Sequence, residues 1–166
     1  MRTELKTQDL SLVGAAGFNA VTDPDGIRMQ FMATPGGLLQ TIIPSTRVTQ
    51  DDAICEAVGL DHVVLQVTDV EKSASYYRKF FGMETSRDRT PGRIWFTAAR
   101  TRLGVEKMAE GQTPHIDRFG IRVAAFDRQA VTRKLGAIGV TVLPSTGGNV
   151  VRFRDADGIA VELRRV

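Results

Sequence analysis

Leu60-Asp-His-Val-Val-Leu-Gln-Val-Thr-Asp-Val-Glu-Lys-Ser-Ala-Ser-Tyr-Tyr-Arg-Lys-Phe-Phe-Gly-Met83 decides the fold, because it reads as one strand running straight into one helix. Strand side chains alternate between faces, so Val63, Leu65 and Val67 share one side and His62, Val64 and Gln66 the other. Asp69 is a helix N-cap, since its short carboxylate can take the free N–H groups of a first turn. Val70, Ala74, Tyr77 and Phe81 follow at helical spacing, and Gly82 can close the helix in a left-handed conformation.

The same unit recurs 56 positions on, where Ile116-Asp-Arg-Phe-Gly-Ile-Arg-Val answers Leu60-Asp-His-Val-Val-Leu-Gln-Val. Val70 to Phe81 is matched by Asp127 to Ile138, and Gly82 by Gly139 after one inserted residue. Three short strand-like runs follow each helix: Glu84–Asp88, Arg93–Ala99 and Thr101–Lys107, then Thr141–Leu143, Val150–Arg154 and Ile159–Arg164. The order βαβββ, twice, predicts one α+β domain built of two modules, 60–110 and 115–166.

Residues 1–59 do not fit that scheme and are read as a separate N-terminal segment. Asp23-Pro-Asp-Gly-Ile-Arg-Met-Gln-Phe repeats Asp155-Ala-Asp-Gly-Ile-Ala-Val-Glu-Leu. Asp-Gly marks a tight turn, so Phe18–Thr22 and Ile27–Met32 should form a hairpin like the one that closes the second module. A lone hairpin is marginal in water. It is therefore expected to join a sheet edge of its own domain or to dock on, or exchange with, a second chain. An extended connector from Gly36 and a short helix around Gln50–Ala57 should lead into the first module.

At 166 residues and 42% hydrophobic composition the chain can bury one core with an appendage. Its net charge of +3 is scattered, which argues against nucleic acid as partner. No apolar run is long enough to span a bilayer, and Met1-Arg-Thr-Glu-Leu-Lys lacks a signal-peptide core. One cysteine, Cys55, cannot make an internal disulfide and is read as an apolar filler; a reducing, cytoplasmic setting is expected.

Asp61-His62 with Val67-Thr-Asp69, and Asp155-Ala-Asp-Gly-Ile-Ala-Val-Glu162-Leu at the end, resemble the vicinal-oxygen-chelate superfamily. Glyoxalase I, bleomycin-resistance proteins and extradiol dioxygenases belong to it. The resemblance implies paired βαβββ modules around a cupped mixed sheet, a small-molecule ligand or substrate, and a homodimer. It also implies a divalent metal (Fe, Mn, Ni, Co or Zn) in the cup, held from the first and last strands of the two modules. His62 and Glu162 stand at such positions, and Glu106 is on the same face if Leu103 and Val105 face the helix. Those residue types suit a borderline ion, and Glu106 or Glu162 could also carry a proton.

The resemblance breaks at the second module's first strand, where Arg118 stands in place of a histidine. Guanidinium has no lone pair for a metal. His115 lies an odd three residues earlier, so a straight strand turns it to the helix side unless a bulge intervenes. Two readings stay open. In one, His62, Glu106 and Glu162 hold a metal for a lyase, isomerase or ring-cleaving dioxygenase. In the other, Arg118 supplies the positive charge, and with Arg122, Arg102, Arg164 and Gln66 it makes a metal-free pocket for a small polar or anionic molecule. A non-catalytic assembly role is the third class. Of Trp95 and Phe96 one must face the cup, and the sequence does not choose.

Overall fold

A computed structural model describes residues 12–13, 19–31, 53–89, 92–145 and 147–166. Eleven strands are described: β1 (Leu12–Val13), β2 (Asn19–Thr22), β3 (Arg28–Phe31), β4 (Glu56–Val67), β5 (Ser86–Arg87), β6 (Ile94–Ala98), β7 (Thr101–Lys107), β8 (His115–Ala124), β9 (Val142–Leu143), β10 (Val150–Arg154) and β11 (Ala160–Arg165). Two helices are described, α1 (Val70–Phe81) after β4 and α2 (Arg128–Ala137) after β8. None of the described helices is long and apolar enough to cross a membrane.

The second and larger sheet has the order β5-β6-β7-β4-β8-β11-β10-β9. Each module contributes four strands, with its first strand parallel to its last, β4 to β7 and β8 to β11. The modules join where β4 runs antiparallel to β8. This is the α+β architecture expected from the doubled βαβββ order. Each helix packs on its own half-sheet. Leu65, Val67, Ala74, Tyr77, Ile94, Phe96 and Val105 form one apolar cluster, and Val123, Val131, Leu135, Val151, Val161 and Leu163 the other. Asp69 caps α1 by accepting from the Lys72 amide at 3.0 Å, and Asp127 caps α2 from Gln129 and Ala130. Phe96 is fully buried beside Tyr77 and Phe81, so Trp95 is the residue that faces the cup.

Two expectations need correction, and one alternative left open is decided. The helix around Gln50–Ala57 is not formed in its described part, where Ala53–Cys55 bends and β4 begins at Glu56; residues 50–52 lie outside the described residues. The hairpin is present as β2 and β3, but it does not join the eight-stranded sheet. It pairs with β1 in a three-stranded sheet of its own, and its turn docks on α1 instead. Polar groups explain the choice. Tyr77 donates its hydroxyl to Asp23 at 2.7 Å, Ser73 donates to Asp25 at 3.0 Å, and Tyr76 donates to the Thr22 carbonyl at 3.0 Å. Ile27 and Met29 pack against the first apolar cluster. Finally, β8 is bulged: Val64 pairs with Arg118 and Leu65 with Ile116, leaving Asp117 as the extra residue. His115 therefore pairs opposite Gln66 rather than following the parity of a straight strand.

Candidate functional site: an arginine-lined cup at the module seam

The strands of both modules present their polar alternates to one concavity of about 470 Å³. His62, Arg118 and Glu162 stand along the seam, with Arg93, Trp95 and Arg102 on the first module's side and Arg152 and Arg164 on the second's. His62, Glu106, Arg118 and Glu162 are all buried. So many buried charges in one place need partners, and the site is a chain of ion pairs.

Arg118 is the centre of that chain. Its two terminal nitrogens donate to the two oxygens of Glu106 at 3.1 and 3.3 Å, a fork-to-fork pair, and one also donates to Asp117. Its Nε lies 3.6 Å from Glu162, so one guanidinium ties the two carboxylates together. Arg93 donates to Glu106 as well, at 2.6 Å. Glu162 is further held by Arg152 and by Arg164 at 3.2 Å. Burial alone would raise both carboxylic acids, but the guanidiniums win and keep them ionised below their ordinary range.

His62 has a different environment. Its Nδ1 lies 2.7 Å from Asp61, which fixes the proton there and leaves the Nε2 lone pair toward Glu162 at 3.6 Å. Burial lowers its pKa, against the opposing pull of Asp61 and Glu162, so the ring is neutral near pH 7. The ring also meets Trp95 edge-on at 5.7 Å. Space for it comes from Gly120 on β8, where an added Cβ would sit 2.4 Å from His62 Cε1. Trp95 in turn has two guanidiniums over its ring, Arg93 at 5.0 Å and Arg102 at 4.7 Å, and donates to Asp88 at 3.0 Å.

His62, Glu106 and Glu162 do come together, as strand parity implied, but they do not fit a metal. A guanidinium occupies the space between Glu106 and Glu162, and Glu106 gives both oxygens to arginines. Among the described residues no group of three or more His, Cys, Asp and Glu side chains is arranged to hold an ion. His115 does not complete a set; it bonds the Thr113 carbonyl at 2.7 Å and lines a second cavity with Gln66.

Of the expected pocket residues, Arg118, Arg102 and Arg164 line the cup, whereas two do not. Gln66 opens toward the second cavity, because it sits beyond the bulge, two pairs from Arg118. Arg122 is turned to the Arg100 carbonyl and lies at the edge, 4.0 Å from Asp61. Arg93, Asp88 and Arg152 were not anticipated. Two had a legible signal: Arg93 shares parity with Trp95, and Arg152 lies opposite Glu162 in the β10–β11 hairpin.

Comparison with known proteins places these observations. Residues 59–163 match the family described as the Glyoxalase/Bleomycin resistance protein/Dioxygenase superfamily. A search of curated proteins gives no match. Among solved structures, methylmalonyl-CoA epimerase from Mycobacterium tuberculosis is similar with a TM-score of 0.55 at 19% identity, covering 68% of this chain and 91% of that one. The 2,3-dioxygenase LapB from Pseudomonas sp. KL28 is similar with a TM-score of 0.53 at 26% identity, over 68% of this chain but only 42% of that protein. A catechol 2,3-dioxygenase aligns over 99% of this chain and 63% of its own length, with a TM-score of 0.72 at 14% identity. At such identities the epimerase and the catechol dioxygenase share the fold, and the chain spans less than two thirds of either dioxygenase.

Proposed function

Since the chain belongs to the Glyoxalase/Bleomycin resistance protein/Dioxygenase superfamily, we propose that it uses the cup of that fold to bind a small anionic molecule, with Arg118 as the fixed cation and no metal ion. The observation that carries this reading is the guanidinium of Arg118 wedged between Glu106 and Glu162. A buried, always-protonated group held by two carboxylates cannot be displaced cheaply, and it takes the place between them that another cation would need.

The chain's own residues have separable roles in this proposal. Arg102, Arg152 and Arg164, each between 37 and 40% exposed, reach the ligand's charge. Arg118 and Arg93 hold Glu106 and keep the floor dry. Neutral His62 accepts a hydrogen bond or a proton at Nε2 from the ligand, with Asp61 stabilising the ring when it charges. Residues 1–59 are proposed as an N-terminal segment whose hairpin is the remnant of a preceding module, and residues 60–166 as the ligand-binding domain. The two Asp-x-Asp-Gly turns support that reading. Asp23 accepts from the Asp25 and Ile27 amides at 3.0 and 2.7 Å, and Asp155 from Asp157 and Ile159 at 3.1 and 2.8 Å.

The test uses the chain's single tryptophan, Trp95, which lines the cup. Small anions should change its fluorescence saturably, with the same midpoint before and after dialysis against chelator. Protein purified without chelator should carry well under one equivalent of any divalent metal. Stoichiometric metal, together with binding that chelator abolishes, would instead establish the metal-dependent enzyme reading.

A further inference from the structure

On the anion-binding reading of the cup, we propose that its ligand carries a dianionic phosphoryl group, held by Arg102, Arg152 and Arg164.

Three observations converge on that group. The first is an unmet donor. The Nε of Arg152 is buried, yet it has no hydrogen-bond partner among the described residues. Buried N–H groups in folded proteins are satisfied almost without exception, so an acceptor oxygen belongs there. The second is the arrangement of the guanidiniums. Arg102 and Arg164 both approach Asp61, at 3.0 and 3.7 Å, while Arg164 and Arg152 both bond Glu162. Two carboxylates thereby string three arginines into an arc drawn from β7, β11 and β10. Arg102 also lies over the Trp95 ring at 4.7 Å. Each guanidinium has five N–H donors, and each of these three uses one in a hydrogen bond among the described residues. Donors converging from three strands match the three terminal oxygens of a tetrahedral group better than the two of a planar carboxylate.

The third observation is charge. Across the whole ion-pair network of the cup six guanidiniums meet five carboxylates, so the site is net positive and favours an anion. The remainder of the ligand would lie toward Trp95, whose edge meets His62, and toward Ser145 and Val150 on the opposite wall.

Fluorescence titration of the full chain with three probes tests this, namely phenyl phosphate, phenyl sulfate of the same shape but single charge, and benzoate. Phenyl phosphate should bind about tenfold or more tightly than phenyl sulfate at pH 7.5, and its advantage should shrink below pH about 6, where the second proton returns. Arg152→Gln should weaken phenyl phosphate about tenfold and the other two less than about threefold. Arg102→Gln should act in the same direction, and decides the matter if the first variant melts early. Equal binding of phosphate and sulfate, or equal loss of all probes in both variants, overturns the phosphoryl assignment and leaves the anion-binding reading standing. Failure of every probe overturns both.

Discussion

Arg118 shows how one side chain can organise a site on the fold that carries it. The position faces the cup because β8 pairs with β4 there, Arg118 opposite Val64. Replacing the guanidinium by an apolar group of similar length, Arg118→Met, would leave Glu106 with Arg93 and a long hydrogen bond from Gln66, and weaken the hold on Glu162. Breaking a buried pair from one side costs about 3–5 kcal/mol, so chemical denaturation should give a loss of that size. A loss below about 1 kcal/mol, the level of an exposed ion pair, would mean that Arg118 does not hold the two carboxylates. Gly120 makes a complementary case. A methyl added there meets the His62 ring at 2.4 to 3.2 Å, and that ring is itself buried against Trp95. Gly120→Ala should cost about 1–3 kcal/mol by overpacking. It should also shift Trp95 emission, since His62 leans on that indole; unchanged emission and melting would show that the seam is looser than described. His62, Glu106, Arg118 and Glu162 were all legible from strand alternation. Gly120 was not singled out, because a strand glycine gains meaning only when the side chain opposite it is known.

Elements were easier to foresee than their margins. β7 and β10 have the bounds that alternation predicts, and α1 starts and stops at Asp69 and Gly82. The edge strands β5 and β9 shrink to two residues, because edge pairing is decided by neighbours that a local pattern does not contain. The bulge at Asp117 could be raised for His115 but not located from the sequence, because it is a mismatch between two strands; Gln66 and His115, just beyond it, line a different cavity. The hairpin's turn was legible, but its destination was not. Asp23 satisfies its own turn with one oxygen and the Tyr77 hydroxyl with the other, deep against α1. That contact pushes the Tyr77 hydroxyl far up, by burial first and then by the Asp23 charge. Asp23→Ala would strand a buried hydroxyl, which costs about 1–3 kcal/mol. Amide exchange should then speed up in β2 and β3 while β10 and β11 stay protected. Unchanged protection in β2 and β3 would mean that apolar packing of Ile27 and Met29 suffices to dock the hairpin.

At the scale of the whole molecule, the two modules meet across a seam whose buried groups all resist acid. The folded-state pKa of Glu106 and of Glu162 lies below the ordinary 4.5, and that of His62 below the ordinary 6.5. A carboxylate with a depressed pKa contributes stability above its unfolded value and loses it as pH falls through the folded one. For His62 the unfolded ring takes up its proton first, so between the folded value and 6.5 the unfolded state binds more protons and stability again falls with pH. All three slopes have the same sign. Denaturation midpoints should therefore be flat above pH about 7, decline from about 6.5, and fall more steeply below about 4.5. In His62→Gln the first decline should vanish while the second remains, which separates the histidine from the carboxylates. A wild-type midpoint that holds or rises between pH 6.5 and 5 would require a charged His62. The ring would then face Glu162 as an imidazolium, and the positive charge at the seam would no longer belong to the arginines alone.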